Sequence, residues 1–210
     1  MKNVNSIKNN KNLTVINLFG GPGSGKSSTA AGLFHEMKYA GYDVELVTEF
    51  AKDMVYQKRH SVFSEQDYIF AKQHHRQRRL VQYGVKYCIT DSPLLLSHLY
   101  ISKDYYPSFL DFTTDAFESF NNVNIFLRRV KKYNPKGRNQ NEFEAKEIDK
   151  ANLELFFKLG YTFYVLDGNK QAPVNIMTYN GVQMVDPHKD STQKFFKWFD
   201  NLSRNSHARR

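Results

Sequence analysis

The fold of this chain is decided by the stretch Gly20-Gly21-Pro22-Gly23-Ser24-Gly25-Lys26-Ser27. It matches G-x-x-x-x-G-K-[ST], the motif of the phosphate-binding P-loop. Residues 13–19 before it form an apolar, β-branched run that is typical of a buried strand, and residues 28–37 after it have the pattern of an amphipathic helix. Because strand, glycine loop and helix occur in that order, the motif stands in the context in which it binds a nucleotide.

The loop predicts a binding site for ATP and Mg²⁺. Its glycines allow positive φ, so successive backbone N–H groups can turn inward around a phosphate, and the following helix adds the positive end of its dipole. We expect Lys26 to bridge the β- and γ-phosphates and the Ser27 hydroxyl to reach Mg²⁺. The predicted nucleotide-binding residues are Gly21, Gly23, Ser24, Gly25, Lys26, Ser27 and Ser28.

The composition of the 210-residue chain indicates one α/β domain with a polyanionic partner. The 17 Phe and 13 Tyr can supply a packed interior, and the net charge of +9 exceeds what a nucleotide pocket alone requires. The single cysteine, Cys88, lies in an apolar run, which favours a core residue. No apolar run approaches the ~20 residues of a membrane span, and residues 1–12 lack the apolar region of a signal peptide. We therefore expect a cytoplasmic protein with no membrane partner and no obligate protein partner.

Strand-like and helix-like patterns alternate along the chain. Strands are predicted at 13–19, 44–48, 85–90, 123–127 and 161–166. Helices are predicted at 25–39, from 49 onward, at 64–83 with Ser64 as N-cap, within 93–120, at 144–159 and at 191–202. The alternation predicts a parallel five-stranded sheet with helices on both faces. The predicted domain, 13–203, lies between a flexible tail at 1–12 and a basic tail at 204–210, and residues 167–188 have no clear pattern.

Polar side chains follow the predicted strands at the edge where ligands of such sheets bind. Glu49 follows strand two, with Asp53 one helical turn further, and Asp91 follows strand three. Phosphoryl transfer needs charge neutralisation and a carboxylate that receives the proton of the acceptor. We assign the base to Glu49, with Asp53 as the alternative. We assign Asp91 to Mg²⁺, directly or through water, although a helix cap before Pro93 would also explain it.

An arginine-bearing lid is predicted at about 128–145. Arg128 and Arg129 follow strand four, and Arg138 lies in the turn-rich segment 134–139. We expect Arg128, Arg129 and Arg138 to close over the phosphates and stabilise charge in the transition state, in a lid that excludes water. The alternative is that they are ordinary solvent-exposed charges.

The predicted helix at 64–83 supplies candidate contacts to the acceptor. Gln66, Gln73 and Arg76 recur close to one helical face. Gln73 and Arg76, with Glu49 and Asp53, are the candidate substrate residues. Two basic clusters suit a phosphate-bearing substrate, or alternatively form solvated surface. They are Lys72, Arg76, Arg78, Arg79 and Lys86 with His74 and His75, and Arg128, Arg129, Lys131, Lys132, Lys136 and Arg138.

Four segments, in this order, carry a resemblance to a known family. They are residues 19–27, Thr48-Glu49-Phe50-Ala51-Lys52-Asp53, Tyr68-Ile69-Phe70-Ala71-Lys72-Gln73-His74 and Ile89-Thr90-Asp91-Ser92-Pro93. Over most of residues 13–167 the chain resembles the P-loop kinases that include the nicotinamide-riboside kinase domain of bacterial NAD regulators, and it looks closer to the phage-encoded branch. That resemblance implies a nucleoside-kinase-like fold, use of ATP and Mg²⁺, and an arginine lid. The implied functional positions are Lys26, Ser27, Glu49, Asp91, Arg128 and Arg138.

Three functions stay open at this stage. Some phage members resemble kinases that phosphorylate 5-hydroxymethyluracil bases in DNA, which makes modified DNA the leading partner. The second possibility is a kinase of a free nucleoside, a nucleotide or nicotinamide riboside, and the third is a non-catalytic nucleotide switch. A GTPase is disfavoured because Asn169-Lys170-Gln171-Ala172 lacks the acid of a guanine-reading N-K-x-D element, and a motor ATPase usually needs a larger core.

Overall fold

The computed structural model describes residues 10–134 and 141–207. A six-stranded sheet runs through this part of the chain in the order β2-β3-β1-β4-β5-β6. The strands are β1 (Asn10–Phe19), β2 (Val44–Val47), β3 (Tyr87–Thr90), β4 (Phe120–Arg128), β5 (Phe163–Asp167) and β6 (Gln183–Val185). The pairs among β1 to β5 are parallel, whereas β6 pairs antiparallel with β5.

The α/β fold with a largely parallel sheet is confirmed, but the predicted number of five strands was wrong. The sixth strand lies within residues 167–188, for which no element was predicted. It has three residues, and Gln183 and Met184 are exposed at the edge of the sheet. So short an edge strand shows no alternation of apolar and polar residues over several positions, and it is therefore invisible to periodicity.

Helices cover both faces of the sheet, as predicted. They are α1 (Lys26–Tyr39), α2 (Phe50–Tyr56), α3 (Gln66–Gln82), α4 (Ser97–Tyr100), α5 (Pro107–Glu118), α6 (Glu142–Leu159), α7 (Ala172–Thr178) and α8 (Thr192–His207), with 3₁₀ turns at His60–Ser64 and Leu94–Leu96. Side chains of α1 and α7 pack on one face, and side chains of α3, α5, α6 and α8 pack on the other. Among the described residues, no helix is long and apolar enough to span a bilayer.

The central strand β1 joins the two apolar layers. Leu13, Val15 and Phe19 point to the layer that holds α6, and Ile16 and Leu18 point to the layer that holds α1, as the two-residue period of a strand requires. The ring of Phe19 meets that of Phe156 on α6 edge-on, with centroids 4.6 Å apart. The carboxyl end of β1, from which the glycine loop departs, is thus fixed against α6.

Several local predictions need correction. Asn10 to Asn12 belong to β1 rather than to a tail, because Asn10 N donates to Ser119 O. Ser64 does not cap α3: it ends a 3₁₀ turn, and its hydroxyl donates to Ser61 O. The helix α8 continues through residues 204–207, which were assigned to the basic tail.

Cys88 is a core residue, and His74 is partly buried beside aromatic rings. Cys88 is buried, as predicted, and burial raises the pKa of its thiol to about 12. His74 was grouped with the basic cluster of α3, but its ring lies between Phe70 and Phe120. Burial lowers the pKa of His74 to about 4, so it adds no positive charge at neutral pH.

Phe126 on β4 tests the packing of the aromatic core. It is 0% exposed, so Phe126→Ala should lower the free energy of unfolding by about 3–5 kcal/mol through lost burial and a cavity. The same substitution at Phe143, which is 71% exposed, should change it by less than about 0.5 kcal/mol. Denaturant titration of both variants measures the difference, and equal losses would contradict the described core.

Candidate active site

The glycine loop has the conformation of a phosphate cradle. Gly23 and Gly25 have φ of 82° and 104°, a region that side chains with a Cβ rarely adopt. Gly25 caps α1, and Thr29 N donates to its carbonyl at 2.9 Å. Among the described residues, none accepts a hydrogen bond from the backbone N–H groups at the end of the loop and the start of α1. These donors belong to Gly23, Gly25, Lys26, Ser27 and Ser28.

This set of donors fits the phosphates of a nucleotide. Backbone N–H groups at the start of a helix have no partner within the helix and lie at the positive end of its dipole. Of the predicted nucleotide-binding residues, Gly21 and Ser24 differ from the rest, because Gly21 N donates to Asp149 Oδ1 and Ser24 N donates to Gly21 O. Nucleotide binding by the loop stays a prediction.

Lys26 lies back along the loop. Its Nζ donates to Gly20 O at 2.6 Å and to Gly21 O at 3.2 Å. Burial lowers its pKa, and the carboxylates of Glu49, Asp149 and Asp91 oppose that effect. Lys26 therefore stands among three acidic side chains from three different elements.

Glu49 and Asp91 meet at the carboxyl ends of β2 and β3. The backbone N–H of Glu49 donates to Asp91 Oδ1 at 3.1 Å. Burial raises the pKa of Glu49 above its ordinary value, while the charge of Lys26 opposes the rise. No described residue donates a hydrogen bond to the Glu49 carboxylate, so this carboxylate is available to a ligand.

The residues present fit a magnesium ion that is shared with a nucleotide. Mg²⁺ commonly takes one or two protein ligands and completes its octahedron with phosphate oxygens and water. Asp91 is 5% exposed and its Oδ2 accepts no hydrogen bond from a described residue, while the Ser27 side chain is exposed at the start of α1. No group of three or more His, Cys, Asp or Glu side chains suitable for a metal occurs among the described residues.

Asp53 on α2 and Arg76 on α3 form an ion pair. Arg76 Nη2 lies 2.8 Å from Asp53 Oδ2, and Nη1 donates to Thr48 O at 3.0 Å. The guanidinium also stands 5.3 Å from the centre of the Phe50 ring. Of the two candidate bases, Asp53 is therefore engaged by an arginine, whereas Glu49 is not.

Gln73 lies in the interior, and both ends of its amide are used. Its Oε1 accepts from Phe50 N at 3.1 Å, and its Nε2 donates to Thr90 Oγ1 at 3.3 Å. Gln66 is also buried, and it donates to Phe63 O at 2.8 Å. In this structure Gln73 positions Glu49 and Asp91 through their neighbours, and its contact with an acceptor stays a prediction.

The predicted lid arginines do not act together in the described structure. Arg128 ends β4 and pairs with Asp167, its Nε donating to Oδ1 at 2.7 Å. Its neighbour Arg129 turns to the glycine loop and donates to Pro22 O. Arg138 and the centre of the predicted lid lie outside the described residues, so their role stays a prediction.

Two residues at the site were missed by the sequence. Asp149 on α6 accepts from Arg129 Nη2 at 2.7 Å and from Gly21 N at 2.5 Å. Burial, together with the charges of Glu49 and Asp149, raises the pKa of Tyr100 to about 12, although 43% of the residue is exposed. Neither residue follows a strand or belongs to a motif, so no sequence signal distinguished them.

The loop is packed tightly against the end of β5. A Cβ built on Gly168 would lie 2.0 Å from Ser24 O, and one on Gly25 would lie 3.1 Å from Gly168 O. Gly168 N donates to Arg128 O at 2.9 Å, which fixes its position. A glycine is needed at residue 168 because two backbones meet there without space for a side chain.

Comparison with known proteins finds one family and several similar structures. A family model described as an AAA domain matches residues 15–172. The solved structure of NadR protein in complex with NR is similar, with a TM-score of 0.61 and 12% identity over 83% of this chain, which spans about half, 53%, of that protein. A deoxyadenosine kinase from M. mycoides with bound dATP has a TM-score of 0.46 and 22% identity, over 79% of this chain and 97% of that one. A comparison with curated proteins gave no match.

Gly168→Ala tests the seat of the loop. The added methyl group would meet the backbone of Ser24, so we expect the affinity for ATP and Mg²⁺ to fall about tenfold, the value of one charge-assisted hydrogen bond. Gly84→Ala is the control, because Gly84 has φ of 74° with no atom within 4 Å of its Cβ position. It should lose stability without losing affinity. Calorimetric titration compares both with wild type, and unchanged binding by Gly168→Ala would contradict the described packing.

Proposed function

Because the chain belongs to the AAA-domain family of P-loop proteins, we propose that it is a kinase that transfers the γ-phosphate of ATP to an acceptor hydroxyl. One observation carries this proposal. The Glu49 carboxylate has a raised pKa, accepts no hydrogen bond from a described residue, and is linked through its backbone to Asp91. A base of this kind is what an alcohol acceptor requires.

Each side chain of the site has a role in this reaction. The loop N–H groups and Lys26 bind the phosphates, and Ser27 and Asp91 would hold Mg²⁺, which would neutralise phosphate charge. Glu49 accepts the proton of the acceptor hydroxyl as its oxygen forms a bond to the γ-phosphorus and the bond to the bridging oxygen of ADP breaks. Asp53 keeps Arg76 in place and leaves the base to Glu49.

We favour the hydroxymethyl group of 5-hydroxymethyluracil in DNA as the acceptor. The net charge of +9 supports a polyanion, and the resemblance to phage-encoded kinases points in the same direction. Lys52, Lys72 and Arg79 are exposed on α2 and α3, where they can meet DNA phosphates. A base within a duplex would have to be flipped out of the stack to reach Glu49. Such a phage enzyme would act in the cytoplasm of the host.

A second candidate is a kinase of a free nucleoside, a nucleotide or nicotinamide riboside. It is favoured by the state of α3, because Arg76 is paired with Asp53 and His74 is neutral. Fewer cations are thus available at this surface than the sequence suggests. A fold similar to that of a protein bound to NR is equally compatible with it. A switch without catalysis is the least favoured, since it has no need of a base such as Glu49.

Glu49→Gln tests the base. The variant should bind ATP and Mg²⁺ normally but transfer phosphate about 10²–10⁴-fold more slowly. In wild type, burial raises the pKa of Glu49, so activity should fall with decreasing pH through a value above that of an ordinary glutamate. The variant should lack this acidic limb. Asp53→Asn is the matched comparison, and it should keep the limb. If Asp53→Asn removes the limb and Glu49→Gln does not, Asp53 is the base.

Transfer of labelled γ-phosphate identifies the acceptor. The panel contains DNA with 5-hydroxymethyluracil, ordinary DNA, free nucleosides and nucleotides, and nicotinamide riboside. We expect label on the modified DNA alone, with an affinity that falls steeply as salt is raised. Label on a small molecule instead would select the second candidate. If the protein binds ATP but transfers phosphate to no member of the panel, the non-catalytic switch is the function that remains. Lys26→Ala should abolish transfer to whichever acceptor is used.

A further inference from the structure

The first half of the glycine loop is held by side chains from three elements. Lys26 of α1 binds the carbonyls of Gly20 and Gly21, and Arg129 at the end of β4 binds the carbonyl of Pro22. Asp149 of α6 accepts from the N–H of Gly21. In the second half, Ser24 N donates to Gly21 O, whereas the N–H groups of Gly23 and Gly25 meet no acceptor among the described residues. Residues 20–22 of the loop are thus held by protein side chains, and the part from residue 23 onward can bind phosphate.

Asp149 and Arg129 form one buried unit. Their side chains are 11% and 8% exposed, and Arg129 Nη2 lies 2.7 Å from Asp149 Oδ2. The other carboxylate oxygen receives Gly21 N, and Arg129 also donates to Ala145 O at 3.4 Å. The two oxygens of the Asp149 carboxylate therefore connect Arg129 with the backbone of the loop. Either side chain would lose these hydrogen bonds if it moved away.

Gly21 allows α6 to pack closely against the loop. The P-loop motif accepts any residue at this position, yet a Cβ on Gly21 would lie 2.4 Å from Ala145 O and 3.0 Å from Asp149 Oδ1. The start of α6 is fixed as well, because Asn141 and Glu144 form a reciprocal capping box. The motif does not require a glycine at residue 21, but the close approach of α6 does.

We propose that Asp149 and Arg129 are positioning residues that fix the first half of the glycine loop, and that Arg129 does not itself act on the transferred phosphate. The two Nη atoms of the arginine donate to Pro22, Ala145 and Asp149, and its Nε is buried. It therefore acts on the nucleotide through the shape of the loop. Loss of either partner should therefore weaken the binding of ATP and of ADP alike. An arginine that stabilises charge in the transition state would instead affect the rate of transfer.

The test is a double-mutant cycle on nucleotide affinity. Asp149→Asn keeps an acceptor for Gly21 N but cannot accept from Arg129, and Arg129→Gln removes the charge. Each should weaken ATP and ADP binding about tenfold, and the double variant should be no weaker than the weaker single variant. The KM of the acceptor should not change. Glu154→Gln on α6 is the control, since its pair with Lys150 is exposed, and it should bind like wild type.

The outcomes separate the possible roles. Losses that multiply in the double variant, or a large fall in kcat with Arg129→Gln alone, would overturn the positioning role. If Asp149→Asn does not fold because it leaves the charge of Arg129 buried, the double variant carries the test, because neither charge remains in it. Affinity of the double variant equal to that of wild type would then overturn the inference.

The inference rests on the proposed function only through nucleotide binding. Wild-type protein that binds no ATP would contradict the proposed function. Wild-type binding with unaffected variants contradicts the role of the pair alone.

Discussion

The site depends on the close approach of three backbones around the glycine loop. The loop meets Gly168 beyond β5 on one side and Ala145 of α6 on the other, at distances that leave no space for a Cβ at residue 21 or residue 168. Backbone packing of this kind cannot adjust by a change of rotamer, so it fixes the loop relative to the sheet. The direction of α1, and with it the place of Lys26, follows from that constraint.

Burial and opposite charges act against each other in the site. Burial lowers the pKa of Lys26 and raises that of Glu49, while each of the two charges opposes the shift of the other. Asp149 has a raised pKa for the same reason, and Arg129 is the first charge to oppose it. The result is a group of enclosed charges in which Asp149 is fully occupied and Glu49 is available, so that the environment, rather than residue type, separates the two carboxylates.

Much of the fold could be predicted because strong local signals specify it. The apolar runs before Gly20, Glu49 and Asp91 are long enough to indicate strands, and the parallel order follows from the alternation with helices. The errors fall where local signals are weak or misleading. The three-residue strand β6 is too short for periodicity, and Ser64 has the chemistry of an N-cap but lies in a 3₁₀ turn. His74 has a pKa lowered by burial, and its ring contacts those of Phe70 and Phe120, which composition does not reveal.

The sequence by itself determined the phosphate-binding loop and the acids that follow the strands, because the geometry of parallel sheets brings strand ends together whatever their distance along the chain. Only the tertiary structure decided which charges pair. Asp53 is taken by Arg76, Arg128 by Asp167, and Arg129 by Asp149. The paired residues lie 23, 39 and 20 positions apart in the chain, respectively. Such contacts arise from the packing of α3, α6 and β5 against the site, and no pattern of neighbouring residues encodes them.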